Sequence, residues 1–140
     1  MASCGLDRDT GEPLFDLAHV AQAVQTIFTT RLGERVMLRW FGGGLAELLG
    51  RRITPALLRS YRMLLALAIA TWEPRLQVVK IDGTGNSTDA IALGHLKFTA
   101  ICYYRPRGHL GDYTVEGGPR ALNIFSPDGK TLRVQLARVA

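Results

Sequence analysis

Long apolar stretches are missing from this sequence of 140 residues. The longest near-continuous apolar run, residues 63–70, is far shorter than the ~20 residues that a membrane-spanning helix requires. Near the start of the chain, Asp7, Arg8 and Asp9 stand where a secretory signal would have an apolar stretch. We therefore expect a chain that folds in a cytoplasm and does not enter a membrane.

Cysteine and lysine are also scarce. The two cysteines, Cys4 and Cys102, are too few for a disulfide scaffold, and we expect both to be reduced thiols, with Cys102 in the core. An intermolecular bridge through Cys4 is the alternative. Because Lys80, Lys97 and Lys130 are the only lysines, the net charge of +5 comes mostly from arginine. Arginine pairs well with carboxylates and tolerates burial at interfaces, which favours an acidic protein neighbour or a nucleic acid as partner.

Spacings typical of metal and cofactor sites are absent from the sequence. The histidines, His19, His95 and His109, are separated by long gaps in the sequence. The two cysteines do not lie at the spacing of metal ligands either. The glycine clusters at residues 42–44 and 83–85 lack the strand, glycine triplet and helix of a dinucleotide site. Nothing around Cys102 resembles an activated thiol. We expect neither a metal nor a cofactor.

Two helices are predicted from the apolar spacing. The first has Asp16 as a candidate cap, follows a three-four apolar pattern from Leu17 and should end near Thr30. The second starts at Thr54 and Pro55, a capping residue followed by a proline in the first turn, and should run to about Trp72. Its apolar stripe is broad, with these members: Leu57, Leu58, Tyr61, Met63, Leu64, Leu65, Leu67, Ala68, Ile69 and Trp72.

Between and after these helices the pattern changes to loops and strands. Residues 33–44 should form a loop pinned by Trp40 and Phe41, followed by a short helical turn at 45–49. Strands are expected at residues 76–81, 91–104, 121–125 and 131–138, with turns at 82–89 and 126–130. The fold class is α+β, with two main helices packed on a small antiparallel sheet and a C-terminal β-hairpin. Residues 1–16 show no period and are expected to be a flexible N-terminal arm, which leaves residues 17–140 as a single domain.

Two functional classes are alternatives to a structural role. Glu34, Glu47 and Glu73 could line a cleft as glycosidase carboxylates, but Arg35 and Arg75 lie close in sequence and would hold two of them ionised. A nucleic-acid surface could use Trp40 and Phe41 for stacking, although the sequence contains no motif for reading bases. The arginines of the first half would contact the phosphates: Arg31, Arg35, Arg39, Arg51, Arg52, Arg59 and Arg62. We expect no catalytic residues and no nucleic-acid partner.

Three segments in a fixed order resemble one family. Residues 20–37 contain the end of the first predicted helix, which closes in threonine, followed by Gly33-Glu34-Arg35 and an apolar pair. Residues 41–49 carry an aromatic and glycine turn that leads into a short helix, and residues 72–78 carry Glu73-Pro74-Arg75. Together they resemble the baseplate wedge and sheath-initiator family of contractile phage tails (the W-protein family), which includes the TssE subunit of type VI secretion.

The resemblance implies a structural protein of the virion tail baseplate, assembled in the host cytoplasm and present in several symmetric copies. It would join wedge proteins to the first ring of the sheath protein, with hub or tube proteins as further candidate neighbours. An open sheet edge would accept sheath strands, although the sequence does not identify that edge. The expected partner-binding residues are Gly33, Glu34, Arg35, Trp40, Phe41, Glu73, Pro74 and Arg75. A TssE-like subunit and a lysozyme-like enzyme that cleaves peptidoglycan are the alternatives.

The Glu73-Pro74-Arg75 segment is expected to dock onto the helical bundle of the wedge. Because Pro74 fixes the backbone, Glu73 and Arg75 would project from an ordered corner and lose little entropy when a partner pairs with them. The competing interpretation is a local surface ion pair, worth well under ~1 kcal/mol.

Overall fold

The computed structural model describes residues 3–44, 54–83, 95, 97–126 and 133–138. Two α-helices and six β-strands are present in these residues, and they confirm the α+β class with a C-terminal strand pair. In chain order the elements are β1 (Cys4–Leu6), β2 (Pro13–Phe15), α1 (Asp16–Thr29), α2 (Pro55–Trp72), β3 (Leu76–Asp82), β4 (Lys97–Tyr104), a 3-10 turn (Gly108–Leu110), β5 (Arg120–Phe125) and β6 (Arg133–Arg138).

The main sheet has four antiparallel strands in the order β3-β4-β5-β6. Every second residue of β4 is buried: Phe98, Ala100, Cys102 and Tyr104. This alternation, which the sequence predicts, turns one face of the sheet toward the helices. On β5 the buried members are Leu122 and Ile124. The core therefore lies between this sheet face and the two helices.

Helix α2 begins and ends where the sequence predicts. The Thr54 hydroxyl accepts a hydrogen bond from the Leu57 backbone N–H at 3.2 Å, and Pro55 occupies the first turn. Of the predicted stripe, Tyr61, Leu65, Ala68 and Ile69 are buried, and Leu57, Leu58, Leu64 and Trp72 are partly buried against the core. Met63 and Leu67, which were expected to widen the stripe, are exposed on the outer face. Both side chains lie outside the buried face of α2.

Helix α1 ends at Thr29, as expected, but its start differs from the prediction. Phe15 occupies the cap position, and no side chain caps the helix there. Asp16 is the first helical residue, and its carboxylate accepts a hydrogen bond from the Ser3 backbone N–H at 3.3 Å. The buried face of α1 consists of Val20, Val24, Ile27 and Phe28.

Residues 4–15 form a β-hairpin, so the expectation that residues 1–16 lack regular structure is wrong for this part. Strands β1 and β2 pair antiparallel from Cys4↔Phe15 to Leu6↔Pro13. Asp7 accepts hydrogen bonds from the Asp9 and Thr10 backbone N–H groups at 2.8 and 3.2 Å, which stabilises the turn. Strands of three residues are too short to show a sequence period, and the hairpin depends on packing against α1.

Several expected elements lie outside the described residues. They are the short helical turn at residues 45–49, most of the turn at 82–89, the part of the second strand before Lys97 apart from His95, and the turn at 127–130.

Candidate functional site

Residues 73–75, which we call the corner, turn the chain from α2 into β3. The Glu73 N–H donates to the Ile69 carbonyl at 2.9 Å, and the Leu76 N–H donates to the Glu73 carbonyl at 3.1 Å, which closes a turn around Pro74. Pro74 is exposed at its tip. Because proline restricts its own φ angle, the tip has little freedom to move.

Glu73 and Arg75 form an ion pair inside the protein. Their side chains lie 2.6 Å apart from Arg75 Nε to Glu73 Oε1, and Arg75 Nη2 donates to Glu73 Oε2 at 2.7 Å, which makes the pair bidentate. The residues are only 3% and 8% exposed, respectively. The hydrogen bond to Glu73 raises the pKa of Arg75 above its usual value.

This burial corrects the expectation for both residues. Glu73 and Arg75 do not project toward a partner, and they are not a surface pair either. The turn around Pro74 brings both side chains to its inner side, where the carboxylate and the guanidinium satisfy each other. Pro74 alone presents the corner to the outside.

His19 extends the ion pair toward α1 and the N-terminal hairpin. Arg75 Nη1 lies 3.1 Å from His19 Nδ1. Arginine can only donate, so Nδ1 is assigned as the acceptor and the ring proton as residing on Nε2. On the other side of the ring, a Cβ added at Gly5 would lie 2.5 Å from His19 Cδ2. The hairpin, α1 and the corner therefore meet at one imidazole ring.

The residues 31–44, which we call the glycine loop, follow α1 and have internal hydrogen bonds. The Gly33 N–H donates to the Arg39 carbonyl at 2.7 Å, with Gly33 in the left-handed region at φ 83°. The Arg31 N–H donates to Glu34 Oε2 at 2.8 Å. Glu34 therefore stabilises the bend of the loop from the exposed side.

The glycine loop and the corner are brought together by aromatic packing. Trp72 is the residue immediately before the corner, and the centroid of its ring lies 4.9 Å from the centroid of the Phe41 ring. The Arg35 guanidinium lies 4.0 Å above the Phe41 ring centroid, in a cation–π contact. Phe41 anchors the loop, as expected.

Trp40 does not anchor the loop, which corrects the expectation. Its side chain is 68% exposed, and Val36 and Met37 are 86% and 83% exposed. Leu38 is also exposed and has a left-handed backbone with φ 56°, which is uncommon outside glycine. The sequence analysis did not predict that these apolar side chains are exposed together. The signal was present, because they form an apolar run that lies in a glycine-rich segment and has neither a helical nor a strand period. Contiguous exposed apolar side chains are typical of protein-binding surfaces.

The main sheet has two edges, β3 and β6, in the described part of the chain. The pairing of β3 with β4 shifts register between Val78 and Lys80, and Lys80 is exposed beside Asp82 at 3.0 Å. A bulge and a lysine both disfavour addition of a further strand. β6 pairs with β5 in one continuous register from Arg120↔Arg138 to Phe125↔Arg133. Of the two edges, β6 is the better template for another strand.

Glu34 and Glu73 do not form a glycosidase pair. Both oxygens of Glu73 already accept hydrogen bonds from Arg75, whereas Glu34 lies in the exposed glycine loop. Glu47 is outside the described residues. Within the described ranges there is no cluster of three metal-ligating side chains, and no helix there is long and apolar enough to cross a membrane.

A family model described as baseplate wedge protein gp25 matches residues 16–103 of the chain. The chain belongs to the baseplate wedge protein gp25 family. Baseplate protein W of Escherichia phage P2 is 34% identical over 85 residues, which are 61% of this chain and 73% of that protein. The gp25 family match includes α1, the glycine loop, α2, the corner, β3 and most of β4.

Solved structures of baseplates contain chains with the same fold. A chain of the postcontracted pyocin R2 baseplate matches with a TM-score of 0.61 and 25% identity, over 73% of this chain and 98% of that one. A chain of the anti-feeding prophage baseplate matches with a TM-score of 0.59 and 24% identity, over 73% and 80% of the two chains.

A protein from Geobacter sulfurreducens that is described as a tail lysozyme shares the fold. Its TM-score is 0.57 at 20% identity, over 91% of this chain and 97% of that one. The similarity at this identity concerns the fold alone. The gp25 family and baseplate protein W of phage P2 are named as baseplate proteins, which points to a structural role for this chain and not to an enzyme.

Proposed function

We propose that this chain is a non-enzymatic baseplate component of a contractile phage tail that joins the wedge to the first sheath ring. It initiates sheath assembly by accepting a strand from a sheath subunit along β6. The observation that carries this proposal is the continuous register of β6 at one sheet edge, opposite the bulge and lysine of β3. Main-chain hydrogen bonds along such an edge extend a sheet across a subunit boundary.

The wedge contacts the molecule near the opposite edge of the sheet, at the corner that precedes β3 and at the glycine loop. Pro74, Trp40 and Arg35 are exposed there and offer a rigid tip, a large apolar surface and a charge. Glu73, Arg75 and Phe41 act from beneath by fixing the backbone, and Gly33 and Glu34 shape the loop. A surface that is already ordered loses little entropy on binding, which favours docking onto a helical bundle of the wedge proteins.

Several copies are arranged symmetrically around the tail axis, and each copy links one wedge to one sheath subunit. Hub or tube proteins are further candidate neighbours on the inner side of the ring. Assembly takes place in the host cytoplasm before the tail is complete.

A deletion of the gene tests the function in the phage that produces this protein. Without the chain, tails should appear in electron micrographs as tubes on baseplates that lack a sheath. Supply of the chain from a plasmid should restore sheathed tails. Sheaths of normal number and length in the deletion would contradict the proposal.

Cross-linking in purified particles tests the edge. A Gln135→Cys variant in a Cys4→Ser background places a thiol on β6, and Val79→Cys in the same background is the matched control on β3. With a short bismaleimide reagent and a sheath subunit carrying one cysteine in its terminal arm, Gln135→Cys should give a sheath adduct that mass spectrometry identifies, and Val79→Cys should not. A sheath adduct from Val79→Cys alone would assign the strand to the other edge.

A further inference from the structure

The N-terminal hairpin exposes four apolar side chains on its outer face. Its strands place Cys4 opposite Phe15 and Leu6 opposite Pro13, and all four residues are exposed. Leu6 has 67% of its surface open to solvent. The residues between these pairs are half-buried on the inner face. We call the four exposed residues the hairpin face, and contiguous apolar groups of this kind are typical of protein-binding surfaces.

The hairpin is tied to α1 by side-chain hydrogen bonds. Gln22 Nε2 donates to the Leu6 carbonyl at 2.9 Å, and Arg8 Nη2 donates to Thr26 Oγ1 at 2.6 Å. Both acceptors and donors link the two strands or their turn to the helix. The hairpin face is therefore held in place before a partner arrives, and it loses little entropy on binding.

Carboxylates border one end of the hairpin face. The turn that connects Leu6 to Pro13 contains Asp7, Asp9 and Glu12. The last two are exposed, and neither has a cationic partner among the residues that the structure describes. The first 16 residues carry four carboxylates and one arginine, although the whole chain has a net charge of +5. The hairpin face therefore fits an apolar surface that is bordered by positive charge.

The outer face of α2 is a surface of this kind. Met63 and Leu67 are 75% and 60% exposed, and Ala70 continues the same face one turn later. Arg59 lies one turn before Met63, and Arg62 borders the face; both are exposed. No acidic residue occurs in α2. We call these five residues the helix stripe.

The two surfaces match in spacing as well as in charge. Cys4 and Leu6 are two residues apart on a strand, about 7 Å. Met63 and Leu67 are four residues apart on a helix, about 6 Å. With Leu6 over Met63 and Cys4 over Leu67, the acidic turn comes to the two arginines. The opposite direction would take the carboxylates away from them.

The glycine loop is a weaker match for the hairpin face. It also combines exposed apolar side chains with arginines, but Glu34 adds a carboxylate to it. The wedge, moreover, occupies this loop in the function proposed above. Because the hairpin face and the helix stripe are both exposed within one copy, a contact between them joins two copies.

We propose that the hairpin face of each copy docks on the helix stripe of the next copy around the tail axis. This inference rests on the proposed arrangement of several copies in the baseplate. Such a contact uses different surfaces on its two sides, so its repetition closes a ring. The contact is small, and it acts between copies that the baseplate already holds side by side.

A Leu67→Cys variant tests the contact, because the native Cys4 supplies the second thiol. In purified particles a short bismaleimide reagent should give covalent dimers and longer chains of this subunit, identified by mass spectrometry. The native chain, with Cys4 alone, and Leu67→Cys in a Cys4→Ser background should give none. Ala56→Cys is the matched control on the same helix, about 16 Å from Leu67, and should give few adducts.

Charge reversal tests the orientation in the Leu67→Cys particles. Arg59→Glu with Arg62→Glu should slow adduct formation about tenfold, and Asp9→Lys with Glu12→Lys should do the same. All four changes in one chain should restore the rate, because the signs are exchanged and still complementary. A combined variant as slow as the separate ones would overturn the proposed pairing of charges.

The contact is also overturned if Leu67→Cys yields no adduct between copies, if either single thiol yields one, or if Met37→Cys in the glycine loop yields it instead. Should those results come with a gene deletion that leaves tails unsheathed, the contact between copies is wrong and the function stands. Adducts from Leu67→Cys together with sheathed tails in the deletion would leave the contact correct and the function wrong.

Discussion

Arg75 is the residue on which the corner most depends. Its guanidinium contacts both Glu73 oxygens and His19 Nδ1, and its carbonyl accepts the Arg105 N–H at 2.7 Å. A buried charge that loses its partner keeps its desolvation cost without compensation. Removal of one member of the pair should therefore harm the protein more than replacement of both.

The Glu73→Ala variant should lower the free energy of unfolding by about 3 kcal/mol, because it leaves Arg75 buried and unpaired. The double variant Glu73→Leu, Arg75→Met should recover much of that loss, since apolar side chains of similar size fill the space. Urea denaturation measures both. Lys80→Ala, in the exposed pair with Asp82, is the control and should change the free energy by less than about 0.5 kcal/mol. If the single and the double variant lose the same free energy of unfolding, the claim that Glu73 and Arg75 mainly compensate each other's buried charge is contradicted.

The buried thiol of Cys102 makes the free energy of unfolding depend on pH in the alkaline range. Burial raises the pKa of its thiol from 9.0 to about 12, so the folded protein holds a proton that the unfolded chain releases earlier. A folded-state pKa above the unfolded one means that stability falls as pH rises from about 9 toward 12. In a Cys102→Ala variant this part of the decline should disappear. At pH 8 iodoacetamide should label the exposed Cys4 alone, and rapid labelling of both thiols would contradict the burial.

At the scale of elements, the corner is held in place by the loop after β4. Gly108 packs directly on the corner, since a Cβ added there would lie 2.3 Å from the Pro74 carbonyl oxygen. The Arg105 N–H adds a backbone hydrogen bond to Arg75. The connection between α2 and β3 is therefore supported from a distant part of the chain.

The Gly108→Ala variant should move the corner and lower the free energy of unfolding by about 1–3 kcal/mol, because backbone atoms must shift to admit the methyl group. Gly118→Ala is the matched control, since a Cβ at that position meets no atom of the described residues within 4 Å. Thermal unfolding of the two variants measures the difference. Equal behaviour would mean that the corner does not rest on this loop.

Elements with local signals were predictable from the sequence. Thr54 and Pro55 set the start of α2, Pro74 follows its end, and the alternation from Phe98 to Tyr104 identifies β4. The same holds for the anchoring of the glycine loop by Phe41.

Features that depend on distant contacts were not predictable. The N-terminal hairpin packs on α1, and Phe41, not Trp40, packs beside Trp72. The burial of Glu73 and Arg75 depends on the shape of their turn and on His19, which lies 56 residues from Arg75 in sequence. Local patterns thus located the candidate site but not the direction of its side chains.

At the scale of the whole molecule, the two binding surfaces proposed for the wedge and the sheath lie at the two opposite edges of the main sheet. The corner leads directly into β3 at one edge, and β6 forms the other edge. With three strand spacings of about 4.8 Å between them, the edges are about 14 Å apart. A rigid sheet between two surfaces suits a protein that fixes one ring of subunits relative to another.

A cryo-EM reconstruction of the assembled, uncontracted tail at side-chain resolution tests the central claim most directly. We predict that each copy of this chain will have Pro74 against a wedge protein and a sheath strand hydrogen-bonded along β6. A tail in which β6 has no added strand, or in which the first sheath ring makes no contact with this chain, would contradict the account.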